Sequence, residues 1–100
     1  MIKVNGAPID YSTVPGTEVM RTAVLRYIEH GASPGHFLTA VIQHDLFRAV
    51  ERADTANQAL LVDWVRWFYN KAPGGCHGSK ERMTIWMEEK TVQYEARLEA

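Results

Sequence analysis

From Thr17 onward the apolar residues recur at spacings of three and four, the repeat of a helix that lays one face against a core. Few residues interrupt that repeat, chiefly Gly31, Pro34-Gly35 and Pro73-Gly74-Gly75. A chain built this way is expected to be all-α: a compact bundle of four or five helices joined by short turns. One hundred residues suit a single domain spanning 1–100, with an N-terminal arm over 1–16 and the bundle over 17–100.

The spacing predicts a first helix over 17–30. Thr17 is its cap, and Glu18 sits against the positive helix end. Val19, Met20, Ala23, Val24, Tyr27 and Ile28 form its apolar face, and Gly31 stops it. Ser33-Pro34 reads as a cap followed by proline at the first helical position. The second helix carries Phe37, Leu38, Val41 and Ile42 and ends near His44. Asp45 caps the third, lined by Leu46, Phe47, Ala49, Val50 and Ala53 and ending at Asp54. Neither Gly nor Pro parts these two, so one kinked rod and two separate helices both fit.

The fourth helix is expected over 55–72, capped by Asp54 or Thr55. Leu60, Leu61, Trp64, Val65, Trp67 and Phe68 cover more than half its circumference, and Asp63, Arg66 and Asn70 leave a narrow polar strip. A helix apolar over so wide an arc is central, with neighbours on several sides. Ser79 opens the last helix, which runs unbroken toward Ala100. Met83, Met87, Tyr94 and Leu98 fall on one face of it. Nearly opposite, Glu81, Glu88, Glu95 and Glu99 form a stripe with Ile85 and Val92 set among them. Before Thr17 the chain is irregular. An extended arm is the expectation, with Asn5-Gly6 offering a minimal hairpin between Lys3 and Ile9 as the alternative.

Charge narrows the function classes. Eleven Lys and Arg against twelve Asp and Glu give a net charge of −1. That lacks the basic excess of a non-specific nucleic-acid binder and the acidity of a uniform DNA mimic. The single cysteine, Cys76, closes no internal disulfide. No apolar run approaches the ~20 residues that span a bilayer, and Ile2-Lys3-Val4-Asn5 has no leader pattern, so a cytoplasmic setting is expected.

Chemistry-bearing residues are few. His30, His36, His44, Cys76 and His77 lack the paired spacings of a zinc site, and no cofactor is expected. Cys76 has His77 beside it, but adjacent turn residues point apart, so a thiol nucleophile is not expected. Asp45 and Asp54 already have work as helix caps. Gly74 to Ser79 faintly resembles a phosphate loop, yet Ser79-Lys80 is in reverse order and a helix precedes it. Arg48 and Arg52, one turn apart on the third helix, offer a helix-turn-helix alternative, opposed by Asp45 and Glu51 on the same surface. The acidic stripe is more suggestive: Ile85 and Val92 rimmed by glutamates have the composition of a protein-binding patch. Glu81, Ile85, Glu88, Val92, Glu95 and Glu99 are thus the candidate contacts for a basic partner.

One stretch carries a resemblance. Arg26-Tyr27-Ile28-Glu29-His30-Gly31 is followed by Pro34-Gly35-His36-Phe37-Leu38-Thr39-Ala40-Val41, then His44-Asp45-Leu46, Arg52-Ala53-Asp54 and Asn57. Tyr69-Asn70-Lys71-Ala72-Pro73, Cys76, Gly78-Ser79 and Trp86 complete it, over about 60 residues. This run resembles a family of small phage-encoded helical proteins, and the chain looks like an anti-CRISPR protein of the kind that acts on type I systems, such as type I-F. The resemblance implies no catalysis. It implies a stoichiometric inhibitor that docks on the crRNA-guided surveillance complex in the host cytoplasm and keeps target DNA from its basic surface. The alternative is a phage nucleic-acid-binding or regulatory helical module. The resemblance supplies no contact residues, since the matched motif reads as caps, turns and core.

Overall fold

The computed structural model describes residues 2–99. They form an all-α bundle of six helices preceded by a two-stranded hairpin. The helices are α1 (Glu18–His30), α2 (His36–Ile42), α3 (Leu46–Arg52), α4 (Thr55–Ala59), α5 (Leu61–Lys71) and α6 (Lys80–Glu99). Ala100, expected to end the last helix, lies outside the described residues. None of these helices is long and apolar enough to cross a membrane.

The arm is not extended. Strands β1 (Lys3–Val4) and β2 (Ala7–Pro8) pair antiparallel around Asn5 and Gly6, both at positive φ (52° and 81°). Two strands this short are marginal alone. Glu29 on α1 holds them: it accepts from the backbone N–H of Ile2 at 3.2 Å and from the Tyr11 hydroxyl at 2.6 Å. Ile9 and Val14 are buried, and the Trp67 indole N–H donates to Thr13 Oγ1 at 2.9 Å. Residues before Thr17 therefore help to build the core.

Local capping explains most of the helix boundaries. Thr17, Asp45, Asp54 and Ser79 each accept from a backbone N–H three residues on, as their side chains predict. Ser33 does not cap. Gly35 precedes α2 at φ 94°, so Pro34 lies outside the helix. Between α2 and α3 the chain turns through His44 in the left-handed region (φ 58°). The Asp45 N–H reaches back to the Ala40 carbonyl and the His44 N–H to that of Val41. This is the bonding of a Schellman ending, and it makes α2 and α3 two helices rather than one kinked rod.

The expected helix over 55–72 is divided at Leu60 (φ −101°, ψ 6°), which raises the count to six. Across that bend the Trp64 indole N–H donates to Asn57 Oδ1 at 3.1 Å. Trp64, Trp67 and Phe68 enter the core as predicted, together with Val24, Tyr27, Ile28, Leu38 and Ile42. Other predicted core positions do not. Val19, Leu46, Phe47, Val50, Val65 and Leu98 are all exposed. On α3 only Ala49 is buried, and Ala53 just after it: these small side chains face the body while the bulky ones turn outward.

α6 lies against α1, where Gly31 sets the closeness. It ends α1 at φ 75°, and a Cβ there would stand 2.5 Å from the Met87 carbonyl oxygen and 2.9 Å from Thr91 Oγ1. Gly31→Ala is expected to cost about 2–3 kcal/mol, from backbone strain plus overpacking. Gly6→Ala, at φ 81° in the hairpin turn with nothing within 4 Å of the new atom, carries the conformational cost alone, about 1 kcal/mol. Denaturant midpoints compare them, and equal shifts would mean that the α1–α6 approach tolerates a methyl group.

Candidate partner-binding site

α6 presents the predicted stripe, with its first part packed on the body and every residue over 91–99 exposed. Its inner face is fixed by buried Met83 and by Trp86, whose indole N–H donates to the Ile28 carbonyl at 3.2 Å; further along, the Tyr94 ring meets that of His30, tilted, at 4.6 Å between centroids. The outer face carries Glu81, Ile85, Glu88, Val92, Glu95 and Glu99, all exposed, with Ile85 at 54% and Val92 at 64%. At 1.5 Å per residue the stripe runs for about 27 Å. At 100° per residue, Lys80, Arg82, Lys90 and Arg97 all stand about 100° or more from its axis. The Lys90 ammonium lies over the Trp86 ring, 4.6 Å from its centroid. Among the described residues, no cation lies within salt-bridge distance of these glutamates; the ion pair found there is Arg48 with Asp45 at 3.4 Å. The stripe thus offers unneutralised carboxylates around two apolar side chains. It can grip lysines and arginines by charge-assisted hydrogen bonds and exclude water at Ile85 and Val92.

The residues weighed for chemistry are occupied otherwise. Cys76 is fully buried, and that burial pushes its thiol up to about 12, the opposite of what a nucleophile needs. Its carbonyl accepts from the buried Tyr27 hydroxyl. Asp45 and Asp54 cap α3 and α4. The Gly74–Ser79 loop turns its backbone inward: the Cys76 N–H bonds to the Pro73 carbonyl and the Gly78 N–H to that of Ile42. On α3, Arg48 pairs with Asp45 in solvent, a contact of small energetic weight. Leu46, Phe47 and Val50 share its exposed surface.

His44 and His77 do meet. Their Nε2 and Nδ1 atoms are 2.8 Å apart, so one ring donates and the other accepts. Among the described residues no third His, Cys, Asp or Glu joins them in a metal-holding group. Burial first, then the charges of His44 and Arg82, lowers the His77 pKa below its usual 6.5. The unfolded chain therefore binds this proton more tightly. Stability is expected to be full above about pH 6.5 and to fall as the pH drops below it. The thermal midpoint of the wild type should decline over that range more steeply than that of His77→Gln. Equal slopes would contradict the assignment.

Sequence reasoning missed a second surface. A groove of about 230 Å³ opens between α2–α3 and α5, lined by Val41, Leu46, Ala49, Leu61, Val65 and Tyr69. Tyr69 in that lining is 82% exposed, and Phe47 elsewhere on α3 is 86% exposed. The signal was present in the sequence, since α3 and α5 hold more large apolar residues than one small core can enclose. Compared with family models, curated proteins and solved structures, the chain matches none.

Proposed function

We propose that this chain is a non-catalytic inhibitor that docks through the outer face of α6 on a basic protein surface built to hold nucleic acid. The observation that carries the reading is the exposed stripe of Glu81, Ile85, Glu88, Val92, Glu95 and Glu99, single in sign and unneutralised by its neighbours. The resemblance of residues 26–86 to small phage-encoded helical proteins supports the choice of partner: a type I CRISPR surveillance complex, type I-F among the subtypes, whose binding of target DNA is blocked in the host cytoplasm.

A net charge of −1 makes this local chemistry. Long-range attraction is weak, so carboxylates must engage cations at contact, and the body of the bundle then blocks the DNA path. Co-elution with purified surveillance complex tests the reading, beside a titration of bare duplex DNA. A stoichiometric complex that survives gel filtration is expected, with no duplex binding. Affinity for bare duplex that falls steeply with salt would instead mark a nucleic-acid-binding module.

A further inference from the structure

The His44–His77 pair joins two chemistry-bearing side chains that the docking proposed above leaves unused. They lie 33 residues apart, so no spacing motif announces them. His44 stands in the turn between α2 and α3, and His77 in the loop that leads into α6. Their Nε2 and Nδ1 atoms are 2.8 Å apart, with ring centroids at 5.0 Å and planes inclined by 34°.

The turn itself points to the His44 side chain. The residue that closes a Schellman ending is left-handed, a conformation that glycine or asparagine supplies at least cost. Here a histidine does so at φ 58°, and it is exposed, so its ring adds little to the core. What the position gains is an imidazole nitrogen facing that of His77. A hydrogen bond open to solvent contributes little there, because water replaces it. A divalent cation gains more from the same two nitrogens. Once one ring holds the ion, the other meets it at high effective concentration. Imidazole suits Zn²⁺, Cu²⁺ and Ni²⁺ and leaves the hard cations aside.

The spacing fits such an ion. Two imidazoles on a tetrahedral metal, each nitrogen about 2.0–2.1 Å from it, hold their nitrogens about 3.3 Å and their centroids about 5.2 Å apart. The centroids stand close to that distance. Tilting the exposed His44 ring until the nitrogens part by about 0.5 Å makes room for the metal. The donating ring then carries its proton on its outer nitrogen, and both inner lone pairs face the ion. Water fills the remaining positions beside the apolar groove, which both histidines help to line. The Asp45 carboxylate lines it too, and sets a negative charge against that of Arg82 near His77.

We propose that His44 and His77 form a two-histidine site for a borderline divalent cation of the first transition row, Zn²⁺ by tetrahedral fit and Cu²⁺ by greater affinity. Bound there, the ion clips the α2–α3 turn to the loop before α6.

Calorimetric titration of the full chain with Zn²⁺ at neutral pH tests this. One ion per chain is expected. His44→Gln and His77→Gln should each weaken binding by roughly 100-fold, and the double variant no further, because losing either ligand already loses the chelate. His36→Gln, exposed at the other end of α2, should bind as the wild type does. Zn²⁺ should raise the melting midpoint of the wild type and leave those of the His44 and His77 variants unmoved, since an ion held only by the folded chain stabilises it. A further readout needs no variant. Trace Cu²⁺, which is paramagnetic, should broaden the imidazole resonances of His44 and His77 before those of His30 and His36. No saturable Zn²⁺ binding at several hundred micromolar chain, a His44 or His77 variant that binds as the wild type does, or broadening that begins at His30 or His36 overturns the site.

Discussion

Trp64→Ala is expected to cost about 3–5 kcal/mol, a large part of the stability of a hundred-residue domain. Trp64 has no exposed surface. It packs near Phe37 and Phe68, and its indole N–H bridges the α4–α5 bend to Asn57. Truncation removes the ring, leaves a cavity that rigid neighbours cannot fill and strands the Asn57 side-chain oxygen. Asp63→Ala, one residue earlier and exposed, should stay within about 0.5 kcal/mol of the wild type. Urea midpoints decide, and comparable values for the two variants would mean that α5 buries another face.

Reversing Glu88 and Glu95 together to lysine should abolish docking on a basic surface while sparing the fold. Both side chains are exposed on the outer face of α6, so each change should move stability by no more than about ±0.5 kcal/mol. At the interface each would set a cation against the partner's cations, which costs more than a lost contact. An unchanged far-UV spectrum and melting point, with co-elution lost, is the expected pair of results. Co-elution retained by the folded double variant would exclude the α6 stripe as the contact and turn attention to the hairpin and α3.

What the sequence revealed follows the range of the forces involved. Thr17, Asp45, Asp54 and Ser79 were legible as caps because each acts on a backbone N–H only three residues away. The stripe on α6 was legible because helical spacing alone places its six residues on one face. Where a decision belonged to the tertiary structure, the pattern misled. The apolar arc of α5 was wide enough to bury on either side; Trp64, Trp67 and Phe68 took the core, which left Val65 and Tyr69 outside. In α3 the close-packing alanines, not Leu46 and Phe47, face the body. The hairpin depends on Glu29, more than twenty residues away in the sequence, and the division at Leu60 has neither Gly nor Pro to announce it. His44 adopts a conformation more usual for glycine, held by two backbone hydrogen bonds that only the folded turn supplies.

The role proposed for this chain is to keep target DNA from a basic surface of a type I surveillance complex. A mobility-shift titration of labelled target DNA by the purified complex, with the chain added at equal molarity, measures that directly. The DNA is expected to run free when the wild-type chain is present and to be shifted again when Glu88 and Glu95 are reversed. DNA fully bound in the presence of the wild-type chain, across the type I subtypes, would contradict it.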